Sequence, residues 1–313
     1  MEESMSNVVA VVVTWRREAE LDRLLASLEK SSYPLLGCVV IDHAGSVPDE
    51  LASRSFPVRI VPDTSNPGPG AGWANGTRFA KEFFGESDVW YLDDDVVIPP
   101  DTLRILIREK QGAQAICPLL EDEGGGLWGF PEPVSKPDRK NIREAKSPAD
   151  ALRLLGPGPH PFCWATGACL LVDSGALESA GLHRKDFWML GEDLEYSMRL
   201  AAAGRGVFTC LAAVPHLPPK PPDEAGARKS DYRKFCSLLQ NLSYLSFHSP
   251  HSRHMWRYLP GNYRRFFRSH GTRPATIRDA ATCFLHGAIL GHPAGHESGV
   301  ALRERIARRE LGR

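Results

Sequence analysis

The sequence lacks any apolar stretch near the ~20 residues that a membrane-spanning helix needs. Its first six residues, MEESMS, are acidic and precede the apolar run VVAVVV, the wrong order for a signal peptide. Lysine plus arginine (38) equals aspartate plus glutamate (38), so no overall charge directs the chain to nucleic acid. We therefore expect a cytoplasmic protein that binds no nucleic acid.

The sequence also lacks the paired cysteines of a metal site or a disulfide framework. The seven cysteines contain no CxxC pair and stand mostly in apolar surroundings, which predicts reduced, buried thiols rather than a metal knuckle or a disulfide framework. The hydrophobic fraction of 42% is sufficient for a packed core. A chain of 313 residues can form one large domain with an appendage, or two modest domains.

The first hundred residues alternate between strand-like and helix-like patterns. Apolar runs typical of strands buried on both faces occupy 8–13, 37–41 and 89–92, and 58–61 (VRIV) is predicted as a further short strand. Leucines at helical spacing mark 18–30, and 72–84 also favours a helix. This alternation predicts an α/β fold with a mainly parallel sheet and helices on both faces.

The remainder of the chain is less regular. Residues 121–161 are polar and rich in glycine and proline, which predicts a long active-site loop or a mobile insertion. Strands are predicted at 164–173 and 206–214, with a helix from about 192 to 203. Proline dominates 215–222, so we place a domain boundary there, with a large domain over 1–220 and a smaller helical region over 221–313.

Three successive aspartates, Asp93, Asp94 and Asp95, follow the apolar strand VWYL. A solvated turn is one interpretation. However, ligands gather at the carboxyl ends of buried parallel strands, and an extended chain places Asp93 and Asp95 on the same side. Hard ions such as Mg²⁺ and Mn²⁺ prefer carboxylate oxygens. We predict that Asp95 binds a metal directly and that Asp93 holds the nucleotide ribose or the metal shell.

A glycine-rich segment, NPGPGAGWANG at 66–76, precedes this strand. Glycines at such spacing let the backbone approach a ligand closely, and asparagine can cap turns or bond a diphosphate. The segment is not a Walker loop, and it is not a GxGxxG that directly follows the first strand. A flexible loop without a ligand is the alternative.

A second acidic cluster, Glu192 and Asp193, begins a predicted helix in FWMLGEDLEYSMR. Capping by acidic residues at a helix N-terminus is the simpler interpretation. The functional one is a general base that takes a proton from an attacking hydroxyl. His216 ends the strand VFTCLAAVPH and could add an imidazole ligand to the metal, although a lone histidine is more often structural.

In this order, the segments VVVTWRREAELDRLLASL, CVVIDHAGS, NPGPGAGWANG, YLDDDV and GEDLEYSMRL resemble those of family 2 inverting glycosyltransferases with the GT-A fold. The resemblance covers about residues 8–216. Within the family, the triple aspartate, the glycine-rich segment and the final histidine look most like galactofuranosyl- and rhamnosyltransferases.

The resemblance implies specific roles. Asp193, beside Glu192, would be the catalytic base of an inverting, hexosyltransferase-like enzyme. Mn²⁺ or Mg²⁺ would be held by Asp93, Asp95 and His216. The nucleotide-sugar pocket would include Thr14, Arg17, Asp42, Asn66, Gly72, Asp93, Asp94 and Trp164, with Asp42 on the uracil or thymine.

The implied donor is a UDP- or dTDP-sugar, with galactofuranose or rhamnose as candidates, and the acceptor a glycan, a lipid-linked glycan or a small molecule. Two other functions stay open, a sugar nucleotidyltransferase and a nucleotide-sugar-binding module without catalysis. Peripheral association with the cytoplasmic face of a membrane is also open, because the tail after residue 253 is rich in arginine and histidine, although a solvated helical face is the simpler interpretation. So is a homo-oligomer.

Overall fold

The computed structural model describes residues 7–204, 206–218, 224–249 and 255–310. The acidic residues 1–6 and the domain boundary at 220 lie outside this range, so the predictions made on them stay predictions. The described residues form two compact units. The first comprises 7–66, 72–182, 196–204 and 206–218, and the second comprises 67–71, 183–195, 224–249 and 255–310.

All strands of the described chain belong to the first unit and form one ten-stranded sheet in the order β3-β2-β1-β4-β9-β5-β10-β8-β7, with β6 paired to β5. Their bounds are Val8–Thr14 (β1), Gly37–Asp42 (β2), Val58–Pro62 (β3), Asp88–Asp93 (β4), Ala115–Glu121 (β5), Leu127–Trp128 (β6), Glu132–Pro133 (β7), His160–Trp164 (β8), Cys169–Val172 (β9) and Gly206–Pro215 (β10).

The first four strands are parallel, as the sequence predicts, and the structure places them in the order β3-β2-β1-β4. The whole sheet is mixed, because β9 lies antiparallel between β4 and β5. The strand predicted over 164–173 is therefore wrong in extent. Trp164 ends β8, and the following strand covers only Cys169–Val172.

Helices cover both faces of this sheet. The bounds are Glu18–Leu28 (α1), Pro69–Phe84 (α2), Thr102–Lys110 (α3), Lys136–Glu144 (α4), Pro148–Leu155 (α5), Ser174–Ala180 (α6) and Glu192–Gly204 (α7), with a 3₁₀ turn at Asp49–Ala52. Alternate residues of β1 join different cores. Val8 and Val12 pack with the leucines of α1, whereas Val9 and Val11 share a core with Trp73 of α2. This is the packing expected of a central parallel strand.

The segment 121–161 contains β6, β7, α4 and α5, so the predicted long loop is wrong. Ser135 caps α4 by accepting a hydrogen bond from the Asp138 N–H, and Ser147 caps α5 in the same way with Asp150. Each helix has proline in its first turn, where a missing N–H costs nothing. Ser135, Pro137, Ser147 and Pro148, which contributed to the loop prediction, are therefore helix-start signals.

The second unit is built from helices Glu224–His248 (α8), Leu259–His270 (α9), Pro274–Phe284 (α10) and Glu297–Glu310 (α11), with a π-helix at Leu285–Ile289. The helical region predicted after 220 thus has helices throughout its described residues. Segments 67–71 and 183–195, which we assigned to the first domain, cluster with this unit instead. No helix among the described residues has both the length and the apolar character required to span a bilayer.

Candidate active site

The carboxyl ends of three neighbouring strands bring the predicted site residues to one edge of the sheet. In the strand register, Thr14 of β1 lies beside Asp42 of β2, and Val13 lies beside Asp93 of β4. Parallel strands that end together leave their last side chains adjacent, which is why residues far apart in sequence meet here. The acidic triplet begins at this edge.

The middle aspartate of the triplet is held by two partners from the β1 end. Thr14 Oγ1 donates a hydrogen bond to Asp94 Oδ2 at 2.7 Å, and Arg17 Nη1 donates to Asp94 Oδ1 at 2.8 Å. Burial raises the pKa of Asp94 to about 6, against the opposing effects of Arg17 and Thr14. Asp94 therefore ties the turn after β4 to the end of β1.

The outer two aspartates meet His216. One ligand atom from each of Asp93, Asp95 and His216 lies within 4.8 Å of the others, and this is the one such acidic and imidazole group in the described part of the chain. His216 is positioned by its backbone, since it forms a β-bridge with Val96 and its N–H donates to the Glu121 carbonyl. The sequence predicted this trio as metal ligands.

The Asp95 carboxylate is buried and lies between the Arg17 guanidinium and the His216 imidazole. Its Oδ2 accepts from Arg17 Nη1 at 2.7 Å, and its Oδ1 lies 3.1 Å from His216 Nε2. Asp95 Oδ1 has no aligned hydrogen-bond partner among the described residues, and neither does the other imidazole nitrogen, His216 Nδ1. Burial alone would raise the pKa of Asp95, but His216 and Arg17 lower it below its usual value, which keeps the carboxylate anionic.

Asp42, predicted to contact the nucleobase, is almost fully buried at the end of β2. Its Oδ1 accepts from the Ala44 N–H at 2.9 Å and its Oδ2 from the Val47 N–H at 2.8 Å. Both oxygens therefore hold the turn that follows the strand. The next residue, His43, is also buried, which lowers its pKa and favours a neutral imidazole.

The glycine-rich segment is a turn followed by a helix, not a loop throughout. Asn66 has a positive φ of 45° and its N–H donates to the Asp63 carbonyl. Helix α2 then begins at Pro69, so Gly72 and Gly76 are helical. A Cβ on Gly72 would lie 2.8 Å from the Val13 side chain, and one on Gly76 would lie 2.4 Å from Val11. These two glycines allow α2 to pack directly on β1.

Trp164 is half-buried at the end of β8, where it pairs with Glu132 of β7. It does not belong to the group formed by Asp93, Asp95 and His216. Its predicted place in the nucleotide-sugar pocket stays a prediction.

The second acidic cluster lies in the second unit, at the first turn of α7. Asp193 Oδ1 accepts from the N–H of Leu194 at 2.8 Å, and Glu192 is buried. The three preceding residues, Met189, Leu190 and Gly191, all have positive φ (81°, 65° and 102°). Left-handed backbone at residues other than glycine is costly and tends to occur at functional sites.

Comparison with known proteins decides the family. The model of the family described as Glycosyl transferase family 2 matches residues 9–172, more than half of the chain. The chain belongs to glycosyltransferase family 2. The enzyme is 25% identical over 235 residues to the N-acetylglucosaminyl-diphospho-decaprenol L-rhamnosyltransferase of Mycobacterium tuberculosis, a match that covers 68% of this chain and 76% of that relative.

Solved structures share the GT-A fold of this glycosyltransferase. S. aureus TarS 1–349 superposes with a TM-score of 0.57 at 14% identity, covering 98% of this chain and 92% of that one. GalNAc-T7, solved with UDP, GalNAc and Mn²⁺, gives a TM-score of 0.59 at 14% identity and covers 92% of this chain. The enzyme spans 59% of the GalNAc-T7 chain. The predicted family and fold are confirmed.

Two residues that contact predicted site residues or their backbone were missed in the sequence. Trp128, on β6, stacks on the His216 imidazole with ring centroids 3.7 Å apart and planes at 17°. In the second unit, Asn241 of α8 donates to the Leu190 carbonyl at 2.8 Å and so supports the backbone that leads to Asp193. Neither residue has a local motif, because each acts through a contact distant in sequence.

Proposed function

We propose that this glycosyltransferase is an inverting, divalent-metal-dependent enzyme that transfers a sugar from a UDP- or dTDP-sugar to a hydroxyl of a lipid-linked glycan. The observation that carries the proposal is the group of half-buried Asp93 with buried Asp95 and His216 at the carboxyl end of β4, with Arg17 beside it. Carboxylates at this edge of an α/β sheet are well placed to receive a metal-bound diphosphate.

The donor atoms fit a divalent ion. Two ligands of a small ion, each at about 2.1 Å and nearly at right angles, lie about 3 Å apart, and Asp95 Oδ1 and His216 Nε2 are 3.1 Å apart. The Asp95 oxygen is anionic and has no hydrogen-bond partner among the described residues. The imidazole favours a transition ion, so we propose Mn²⁺ over Mg²⁺. A bound ion would neutralise the diphosphate leaving group.

The chain's own residues supply the rest of the chemistry. Arg17 adds a fixed positive charge beside Asp94 and Asp95, where leaving-group charge develops. Asp193 takes the proton of the acceptor hydroxyl while the hydroxyl oxygen forms its bond to the anomeric carbon. The bond between that carbon and the diphosphate oxygen breaks in the same displacement, and the anomeric configuration inverts.

The donor and acceptor are proposed from the relatives. The mycobacterial relative is named as an L-rhamnosyltransferase that acts on N-acetylglucosaminyl-diphospho-decaprenol. TarS has been solved in complex with UDP-GlcNAc. We propose a rhamnosyl or galactofuranosyl donor on a uridine or thymidine diphosphate, and a polyprenyl-diphosphate-linked sugar as acceptor.

The nucleotide pocket is proposed at the ends of β1 and β2 and along the acidic triplet. Thr14, Arg17, Asp93 and Asp94 stand at this edge, and Asn66 precedes α2. Asp42 would act mainly by shaping the turn after β2, since backbone N–H groups already occupy both of its carboxylate oxygens.

The test has two stages. First, UDP- and dTDP-sugars with Mn²⁺ are screened by thermal shift, since a ligand at 100 times its dissociation constant adds about 2.7 kcal/mol of stability. The donor found is then incubated with acceptor, and the anomeric configuration of the product is determined by proton NMR. An inverted product whose formation stops with EDTA supports the proposal. A retained configuration, or full turnover in EDTA, would overturn it.

A further inference from the structure

The second unit carries an exposed apolar patch, which we define as Phe247, Trp256, Leu285, Ile289 and Leu290. Ile289 is 61% exposed and Leu290 50%, and the other three are 39% to 47% exposed. Single exposed hydrophobic residues are common on protein surfaces, whereas a contiguous group of large ones marks an interaction site.

Ring contacts and helix geometry make the patch continuous. The Phe247 ring lies 4.6 Å from that of Trp256 and 5.7 Å from that of Phe284, centroid to centroid. Leu285 follows Phe284 and begins the π-helix, in which the Leu290 N–H donates to the Leu285 carbonyl. Residues four and five apart share one face of a π-helix, so Leu285, Ile289 and Leu290 point the same way.

The opposite face of the π-helix is fixed against α8. A Cβ on Gly287 would lie 2.2 Å from the Gln240 carbonyl oxygen, so only glycine permits this close approach. Gly287 and Ala288 are buried. The outward direction of Leu285 and Ile289 is therefore set by the packing of the helix and not by a freely rotating segment.

The chain segment that carries four of the five patch residues is strongly cationic. Six arginines and one acidic residue, Asp279, occur between 255 and 296, and Asp279 is fully buried. All six arginines are exposed, namely Arg257, Arg264, Arg265, Arg268, Arg273 and Arg278. In the described part of the chain none of the six pairs with a carboxylate. Arg257 directly follows Trp256, at the edge of the patch.

We propose that this patch and its arginines dock the enzyme on an anionic phospholipid bilayer. Apolar side chains flanked by arginine are suited to the boundary between lipid headgroups and acyl chains, where the arginines meet the phosphates. An anionic bilayer matches the apolar and the cationic features together, whereas an unstructured nucleic acid would match only the arginines. This surface function goes beyond the transfer reaction and does not depend on the donor or on the proposed acceptor.

The test measures sedimentation of the full chain with vesicles. Binding is expected to phosphatidylcholine vesicles that contain about one-third phosphatidylglycerol, and to weaken greatly as salt rises from ~0.1 M to ~1 M, where the Debye length falls from ~10 Å to ~3 Å. Equal binding to pure phosphatidylcholine would contradict the role of the arginines. No binding to either vesicle would overturn the proposal.

Two variants separate the apolar and cationic contributions. Ile289→Glu/Leu290→Glu should lower vesicle affinity at least about tenfold, since two aliphatic side chains no longer enter the interface. Arg264→Glu/Arg268→Glu should lower it at least about 25-fold, because each arginine contributes about fivefold, or ~1 kcal/mol. The controls Val134→Glu and Arg78→Glu change exposed residues of the first unit and should bind as the wild type does.

Sedimentation velocity in the absence of lipid excludes the main alternative. If the wild type self-associates, Ile289→Glu/Leu290→Glu abolishes that association, and vesicles bind neither protein, the patch is an interface between two copies of the chain and the proposal fails. Metal-dependent hydrolysis of the donor should be unchanged in all four variants. Failure of membrane docking is thus distinct from failure of the proposed reaction.

Discussion

Replacing Asn241 by alanine should slow sugar transfer without weakening donor binding. The Asn241 side chain is fully buried in α8, and its Nδ2 donates to the Leu190 carbonyl at 2.8 Å. Its Oδ1 accepts from the Ala294 N–H at 2.8 Å. Asn241 therefore holds the left-handed backbone at Met189 and Leu190, which leads into the helix turn that carries Asp193.

The expected loss of local stability follows from these bonds. The Ala294 N–H is buried, so leaving it unpaired costs about 1–3 kcal/mol, and the loss of the bond to the Leu190 carbonyl adds about 1 kcal/mol. Left-handed φ at each of Met189 and Leu190 is itself unfavourable by ~1–3 kcal/mol. Because the total of about 2–4 kcal/mol is similar to this strain, the backbone before Asp193 should relax.

In Asn241→Ala a displaced base retains part of its activity, so kcat should fall about 10- to 100-fold, less than the ~10²–10⁴-fold expected when a general base is removed. The KM for the donor should be unchanged, since the proposed donor-binding residues lie in the first unit. The matched control is Ser243→Ala, which removes the hydrogen bonds of a buried hydroxyl in the same helix, to the Leu239 carbonyl and with the Tyr263 hydroxyl, and does not contact the 189–191 backbone. It should lower Tm and keep kcat. A wild-type kcat in Asn241→Ala would refute the reasoning.

Three further predictions concern the proposed machinery. Asp95→Asn should abolish Mn²⁺ binding measured by calorimetry, with an unchanged circular dichroism spectrum, and retained Mn²⁺ binding would argue against Asp95 as a ligand. Asp193→Asn should lose ~10²–10⁴-fold in kcat and Glu192→Gln much less; the opposite order would exchange their roles. Trp128→Ala should weaken Mn²⁺ binding about tenfold by loosening His216, as loss of outer-shell support does, whereas Trp128→Phe keeps a stacking ring and most of the affinity. Equal Mn²⁺ affinity in both Trp128 variants would exclude a positioning role.

The sequence predicted the part of the fold that places the acidic triplet. The runs 8–13, 37–41 and 89–92 are apolar on both faces, and few elements other than buried parallel strands carry such a pattern. Since parallel strands end at a common edge, it follows that the residues after them meet. The register that sets Thr14 beside Asp42 and Val13 beside Asp93 agrees with this expectation.

The helix α2 shows where local preference misleads. Glycine and proline disfavour helices, so 66–76 suggested a loop, although 72–84 also favoured a helix. In the structure α2 already begins at Pro69 and keeps Gly72 and Gly76 inside the helix, where a Cβ would collide with Val13 and Val11. The cost of glycine in a helix is offset by direct contact between helix and strand, and that contact is invisible until the strand position is known.

The proposed site residues also divide into those recognisable by residue type and those recognisable only by contacts in the fold. Metal ligands are restricted by chemistry to a few side chains, so Asp95 and His216 could be proposed as ligands from residue type at a strand end. In our proposal Trp128 and Asn241 hold another residue in place, a role that many side chains could fill. Trp128 is identified by its 3.7 Å stacking on His216, and Asn241 by its bond to the Leu190 carbonyl. The proposed ligands could thus be predicted from residue type in the sequence, whereas the residues that position them could be identified only from contacts in the fold.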